Sequence, residues 1–198
     1  MHQLFFYVAV TCLVAVMGQS PVTVCQPAVY QVNYTNLLTG DTGYIVADFS
    51  KDLMAEISTK TNIRLVKDFK NLKTYEIPNN SSCRQSTLSP CKVQHQCLPP
   101  YARLVPQQTG AIGNPRSGYY LTTQTWEIPT AYDVLYRITY TSHSGIPAWP
   151  VLSQELGYRG TNNIYQFVSP LAAITDTKAL IIPNNCVPND VLAAIKTK

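Results

Sequence analysis

The chain has 198 residues, of which 45% are hydrophobic and 13% charged, and its formal net charge is +4. A chain of this length suits one domain that buries roughly 70% of its unfolded surface. Its 13 tyrosines and 14 prolines are typical of a β-rich extracellular protein. The composition does not suggest an intrinsically disordered chain, which would be poorer in aromatic residues.

The first segment of the chain, residues 4–17, is almost continuously apolar. It is shorter than the ~20 residues that a membrane-spanning helix needs. It fits the hydrophobic region of a secretory leader, with Val16 and Gly18 at the −3 and −1 positions. We therefore predict a signal peptide over residues 1–18, a single domain over residues 19–198, and a secreted, extracellular protein.

The cysteines predict a disulfide framework, because export compartments are oxidising. Cys12 leaves with the predicted leader, and the remaining cysteines are Cys25, Cys83, Cys91, Cys97 and Cys186. Their odd number leaves at least one thiol that is free, capped or paired with another molecule. A bridge from the middle three to Cys186 would join the two halves of the domain.

Three Asn-X-Ser/Thr sequons begin at Asn33, Asn79 and Asn80. The last two overlap, so we expect one glycan from that pair. In a secreted chain these sequons predict a glycoprotein, with sugars on solvent-facing surface at Asn33 and at Asn79 or Asn80.

Alternation of apolar and polar residues dominates the chain and predicts half-buried antiparallel strands. The alternating segments are residues 29–35, 43–49, 53–57, 63–69, 72–77, 119–128 and 134–141. Shorter candidate strands are residues 164–168 and 179–182. Turn residues recur between the runs, and spacing of about 8–12 residues predicts a large antiparallel sheet or sandwich.

Two segments depart from this alternation. Residues 82–100 carry three cysteines and predict an irregular, disulfide-pinned loop. Near the C-terminus, Asn189 or Asp190 can cap a short helix over residues 191–195.

The sequence favours a protein that is not an enzyme. His95 lies between Cys91 and Cys97, but this spacing is not a recognised zinc pattern, and oxidised cysteines do not bind metal. His143 has no serine-nucleophile elbow and no visible carboxylate partner. The scattered carboxylates show no EF-hand spacing. We predict no catalytic residue and no cofactor, and we assign no residue to metal binding.

The densest basic stretch consists of Lys60, Arg64, Lys67, Lys70 and Lys73. It predicts the solvated face of a strand pair or, alternatively, a patch for anionic lipid headgroups or acidic glycans. With no zinc-ligand spacing and no basic helix, we predict no nucleic-acid partner.

Aromatic residues crowd the second half of the chain. They fit either an ordinary filled core or the lining of a ligand cavity. Strand alternation selects Trp126, Tyr136 and Tyr140 as candidate pocket residues.

A series of motifs then follows a recognisable order. It runs through Cys25-Gln26-Pro27, residues 75–77 leading into 80–84, 110–113 leading into 118–121, Thr125-Trp126, 136–141, 167–174, 179–183 and Cys186. In this order the motifs resemble the ependymin-related proteins over nearly the whole mature chain.

The resemblance implies a domain of two stacked antiparallel sheets, similar to bacterial lipoprotein carriers, with a deep apolar pocket. It implies a secreted and often dimeric glycoprotein, with links to lipid-like ligands, calcium, extracellular matrix and shell matrices. It also implies a disulfide between Cys83 and Cys186.

One departure concerns the partner of Cys25. The family usually has a cysteine just after the Tyr/Thr strand, and residues 143–147 contain none. Cys25 therefore pairs with Cys91 or Cys97, or those two bridge locally and Cys25 is free to link two subunits.

Two functions are consistent with these features. The first is a secreted, non-catalytic glycoprotein that binds a hydrophobic or amphipathic, lipid-like ligand. The alternative is a structural component of an extracellular or biomineral matrix.

Overall fold

The computed structural model describes residues 24–79, 82–90, 93–106, 108–129, 135–142, 147–157 and 160–188. Several predictions lie outside the described residues: the signal peptide over residues 1–18, the sequon residue Asn80, Cys91, His143 and the helix over residues 191–195. Among the described residues, no helix has the length and apolar character to cross a bilayer.

The described part of the chain is mainly β. Its strands are β1 (Val29–Asn36), β2 (Thr42–Asp48), β3 (Leu53–Ser58), β4 (Ile63–Asp68), β5 (Lys73–Pro78), β6 (Arg84–Thr87), β7 (Arg103–Leu104), β8 (Gly110–Asn114), β9 (Tyr119–Pro129), β10 (Leu135–Thr141), β11 (Pro150–Gly157), β12 (Gly160–Leu171) and β13 (Val187–Pro188). A short 3-10 helix, Pro115–Ser117, precedes β9. Each of the seven alternating segments contains a strand, which confirms the mainly β fold class.

The strands form one continuous sheet in the order β13-β6-β5-β4-β3-β2-β1-β12-β11-β10-β9-β7, and β8 pairs with β9. Every pairing is antiparallel except that of β13 with β6. The two sheets implied by the resemblance are joined because β12 returns to pair with β1, where Tyr34 lies opposite Phe167. Two meanders that are distant in sequence thus meet side by side.

The face that we call the inner face carries the buried residues Tyr30, Val32, Ala47 and Met54. The ring of Tyr30, on β1, lies edge-on to that of Trp149, just before β11, with centroids 6.1 Å apart. Since β12 separates β1 from β11 in the sheet, this contact requires the sheet to curl. The inner face therefore encloses a packed core at this end.

The outer face carries Val46, Ala55, Val66 and Tyr75, and it is covered by residues 174–186, which we call the C-terminal segment. The Gln31 side-chain oxygen accepts hydrogen bonds from the backbone N–H and the hydroxyl of Thr175. The Tyr44 hydroxyl donates to Asp176 over 2.7 Å. Arg64 donates to the carbonyl oxygens of Lys178 and Ala179.

Two disulfides join distant parts of the fold: Cys83–Cys186 and Cys25–Cys97. The first confirms the pairing implied by the resemblance. The second decides between the alternatives for Cys25, which is not available to link two subunits because it pairs within its own chain.

Other expectations are corrected by the structure. The predicted strand over residues 179–182 is wrong, because this apolar run lies in turn and loop conformation and buries Ala179 against the outer face. The predicted irregular loop over residues 82–100 contains β6. Strand β11 was not predicted, and β12 is longer than its predicted core, residues 164–168.

Candidate ligand-binding site on the inner face

The three predicted pocket residues share one face of β9 and β10. In the antiparallel register Trp126 lies opposite Ile138, which places it on the side of the sheet that carries Tyr136 and Tyr140. Tyr140 is only 4% exposed, and its hydroxyl accepts a hydrogen bond from Gln26 over 3.1 Å. Tyr140 is therefore part of the packed core, whereas Trp126 and Tyr136 are half-buried.

A group of polar residues occupies the opposite end of the inner face from Tyr30. We call Tyr34, Glu56, Glu155 and Tyr165 the tyrosine–glutamate cluster. Tyr165 lies opposite Asn36 of β1 in the sheet. The rings of Tyr34 and Tyr165 are nearly perpendicular, with centroids 5.4 Å apart. This edge-to-face geometry is the one that aromatic pairs favour, and it fixes the two rings relative to each other.

Glu155 is held in the cluster by a relay of side-chain amides. Asn36 donates to the amide oxygen of Asn163 over 3.1 Å. Asn163 in turn donates to a carboxylate oxygen of Glu155 over 3.2 Å. The amide oxygen of Asn36 accepts from the backbone N–H groups of Leu38 and Thr39. The relay is thus tied to the β1–β2 turn, which orients the carboxylate of Glu155.

Because glycine has no side chain, Gly43 leaves room for Tyr34 to reach towards β3. Gly43 lies opposite Tyr34 on β2, and a Cβ atom at this glycine would be 2.9 Å from the Tyr34 hydroxyl. The next strand presents Ser58 opposite Gly43, with Glu56 two residues away on the same face. The phenol of Tyr34 therefore passes over the glycine towards Glu56.

Two buried donors on the inner face lack a hydrogen bond of good geometry with the described residues. One is the hydroxyl of Tyr34, a residue only 2% exposed, whose interaction with the nearby carboxylate of Glu56 falls short of a well-formed hydrogen bond. The indole N–H of Trp126 is likewise buried without an acceptor in the described part of the chain. A buried donor without an acceptor costs about 1–3 kcal/mol. Such groups call for an explanation, and a bound ligand or water is one.

The electrostatics of the cluster keep its phenols neutral. Burial, and then the charge of Glu56, raise the pKa of Tyr165 to about 12. The same two causes, in the same order, raise the pKa of Tyr34. Burial, and then Glu155, raise the pKa of Tyr136. The negative charge of the site therefore comes from the carboxylates, and Lys67 Nζ, 4.0 Å from Glu56, offsets part of it.

The buried hydroxyl of Tyr34 gives a stability prediction. We expect Tyr34→Phe to leave the free energy of unfolding unchanged or to raise it by up to about 1 kcal/mol, because it removes a buried donor that makes no hydrogen bond of good geometry. Tyr44→Phe is the matched control on the next strand, since it deletes a hydroxyl that donates to Asp176. That variant should lose about 1–2 kcal/mol. Urea unfolding of both proteins, without added ligand, measures the difference. A loss in Tyr34→Phe as large as in Tyr44→Phe would contradict the absence of a well-formed hydrogen bond.

A concave surface lies on the outer face. It is an open groove of about 510 Å³ between the β3–β4 region and the C-terminal segment. Its lining includes Ile57, Arg64, Asn79, Asp176 and Ile181. None of the predicted pocket residues contributes to this groove. The sequon residue Asn79 is exposed at its edge, and Asn33 is exposed on the same face of β1.

The remaining candidate residues do not assemble into a second centre. His95 is exposed. Among the described residues, no three His, Cys, Asp or Glu side chains come together in a way that could hold a metal ion. The basic stretch is divided by strand alternation, because Arg64 points to the outer face and Lys67 to the inner face.

The cluster residues were not selected from the sequence. Tyr34 and Tyr165 appeared only as members of alternating or aromatic-rich segments, and Glu56 and Glu155 as scattered carboxylates. A glutamate at an inward position of an otherwise apolar strand, as in residues 53–57, was the available signal. Its weakness is that the sequence does not reveal which strand faces it.

Comparison with known proteins adds a likeness of fold. No protein-family model and no curated protein matches the sequence. A solved structure that is similar is an uncharacterized conserved protein from Thermus thermophilus, with a TM-score of 0.52 and 9% sequence identity. The match covers 82% of this chain and 90% of the Thermus chain. At this identity the likeness shows the arrangement of the strands and no shared function.

Proposed function

We propose that this chain is a secreted carrier that holds a lipid-like, amphipathic molecule on the inner face of its curled sheet. The observation that carries the proposal is the pair of buried donors on that face, at Tyr34 and Trp126, that make no hydrogen bond of good geometry with the described residues. Protein donors that lack an internal acceptor are matched by an acceptor or a water from outside.

The side chains around these donors suit a molecule with two kinds of surface. Trp126, Tyr136 and Ile138 supply half-buried apolar surface on β9 and β10. The tyrosine–glutamate cluster supplies polar groups across β11, β12 and β1. Ligand sites commonly combine apolar walls with a few fixed polar groups. This arrangement supports a chain-like ligand that lies across the strands, with one end at the cluster.

We also propose that the chain is a member of the ependymin-related proteins. The support is the order of the sequence motifs together with the Cys83–Cys186 disulfide. The two intrachain disulfides are consistent with an oxidising, extracellular location. Under this proposal residues 1–18 are removed on export, and Asn33 and Asn79 carry glycans. N-terminal sequencing and glycopeptide mapping of the protein from a secretory host would test both points.

The carrier proposal is tested by what the purified protein contains. We expect native mass spectrometry of the secreted protein to show a lipid-sized adduct that organic extraction removes. Tyr136→Leu should reduce reloading of the extracted protein, and Tyr101→Leu, at a position 58% exposed in the loop before β7, should not. A protein that is bare when isolated and stays bare after incubation with mixed lipids would overturn the carrier proposal.

A second candidate is a structural component of an extracellular or biomineral matrix, in which the protein could also form dimers. It is favoured by the outer groove and by the exposed sequon residues Asn33 and Asn79, which lie on the outer face or beside its groove. The oligomer masses in the same native spectra would then report on assembly. Higher oligomers without any small-molecule adduct would favour this candidate over the carrier.

A further inference from the structure

We propose that the tyrosine–glutamate cluster recognises the ammonium group of a cationic amphiphile. This inference rests on the proposed carrier function, because it names the headgroup that the inner face selects. The occupant is a molecule with an alkyl chain and a protonated amine, and the cluster provides the binding groups for the amine.

The first argument is the balance of charge at the site. The charges of Glu56 and Glu155 both raise the pKa of the Tyr165 phenol, so both carboxylates lie near it. Asp41 adds negative charge near Tyr34. Lys67 is the cation that pairs with Glu56, and its 4.0 Å separation is long for a direct ion pair. Among the described residues the cluster therefore carries more negative than positive charge, and a ligand cation would neutralise the excess.

The second argument is the geometry of the aromatic rings. Tyr165 stacks on Phe167 with an interplanar angle of 16°, and it meets Tyr34 edge-on. A cation that lies over the face of such rings is attracted by their π electrons. Carboxylates beside aromatic faces are therefore well suited to a protonated amine and poorly suited to a carboxylate or phosphate.

The third argument is the buried hydroxyl of Tyr34, which makes no hydrogen bond of good geometry with the described residues although Glu56 lies near it. The residue is only 2% exposed, and its phenol extends over Gly43 into the cluster. A phenol oxygen can accept a hydrogen bond as well as donate one. An ammonium group in the cluster could donate to this oxygen while the hydroxyl proton turns towards Glu56. A primary ammonium has three N–H donors, and the side-chain oxygens of Tyr34, Glu56 and Glu155 are acceptors.

The test compares probes that share one alkyl chain and differ in the headgroup. Isothermal titration of the extracted, full-length secreted protein would use dodecylamine, dodecanol and dodecanoate at neutral pH, with the two ionic probes below their micelle concentrations and dodecanol below its solubility limit. We expect one molecule of dodecylamine to bind at least about tenfold more tightly than dodecanol, because charge-assisted hydrogen bonds are the stronger ones. Dodecanoate should bind more weakly than dodecanol.

Two isosteric variants and one control locate the binding site. Glu56→Gln and Glu155→Gln should each weaken dodecylamine binding by about tenfold and leave dodecanol binding unchanged. Glu127→Gln is the matched control, since this half-buried carboxylate on β9 pairs with Arg137 on the outward side of the strands. It should alter neither ligand. Lys67→Gln should tighten dodecylamine binding several-fold, and a gain of this kind does not arise from misfolding.

The outcomes distinguish a failure of the ammonium inference from a failure of the carrier proposal. If dodecanoate or dodecanol binds as tightly as dodecylamine, the carrier proposal stands and the ammonium inference is wrong. Dodecylamine binding that survives both glutamate substitutions would place the amine elsewhere and would also overturn the inference. If the cluster binds calcium instead, the ammonium inference alone fails, and if no dodecyl compound binds, the carrier proposal fails with it.

Discussion

Replacing Cys83 and Cys186 together with serine is expected to lower the free energy of unfolding by about 4–5 kcal/mol. The disulfide closes a loop with a sequence separation of 103 residues. In the chain-entropy model, a cross-link over a loop of this length restricts the unfolded chain by about 4.7 kcal/mol. Urea unfolding of the double variant and the wild type, both without reductant, measures the loss. Changing both cysteines avoids a new free thiol.

The matched control is the other disulfide. Cys25 and Cys97 are separated by 72 residues, so the same model predicts a loss within about 0.5 kcal/mol of the first. The two variants should differ in local protection, because only Cys83–Cys186 fastens the C-terminal segment over the outer face. Trypsin should cleave at the exposed Lys178 faster in the first variant alone. A loss below about 1 kcal/mol in the first variant would contradict the chain-entropy argument. Unchanged cleavage at Lys178 would mean that the contacts of Arg64 and Tyr44 hold the segment without the bridge.

The fold could be predicted where one face of a strand is apolar and the other polar. Strand β1 is such a case, because Tyr30, Val32 and Tyr34 are buried while Asn33 is exposed. Strand β11 was missed because it begins with a proline and places Ser153 and Glu155 on the inner face, in register with Tyr165 and Asn163. Because the inner-facing residues of β11 are polar at this end of the sheet, β11 lacks the alternation of apolar and polar residues by which a strand is recognised.

Apolar character indicates burial and does not identify the backbone conformation. Residues 179–182 were predicted as a strand because they are apolar, and Ala179 is indeed only 1% exposed. The burial comes from the outer-face core beneath this segment and not from pairing in the sheet. Short apolar runs carry this ambiguity in general. The opposite error occurs at β8, whose residues are all exposed and which therefore has no hydrophobic pattern.

The candidate site could not be predicted because it depends on the pairing of distant strands. Tyr34 and Tyr165 come together only because β12 returns to β1, and the Asn36–Asn163 hydrogen bond spans 127 residues of sequence. Alternation places a side chain on one face of its strand but does not state which strands are neighbours. The surroundings of Tyr140, which is predicted as a pocket residue and is only 4% exposed, likewise depend on the pairing of β10 with β9 and β11.

Replacing Tyr30 with alanine is expected to cost about 3–5 kcal/mol of unfolding free energy, the range found for large aromatic residues in cores. Tyr30 is 3% exposed and contacts the rings of Phe49 and Trp149 at centroid distances of 6.2 and 6.1 Å. Its removal should leave a cavity where the curl of the sheet brings β1 close to the start of β11. Thermal or urea unfolding measures the loss, and the fluorescence of Trp149 should report the loosened packing.

Tyr120→Ala is the control, because Tyr120 is 46% exposed and its truncation should change stability by less than about 0.5 kcal/mol. The comparison also tests where a ligand can lie. A loss of several kcal/mol in Tyr30→Ala, with dodecylamine affinity retained, would mean that this end of the inner face is a filled core and that ligand lies at the cluster end. A loss below about 1 kcal/mol would mean that Tyr30 lines open space. The ligand would then extend along the whole inner face, and Tyr140 would contact it.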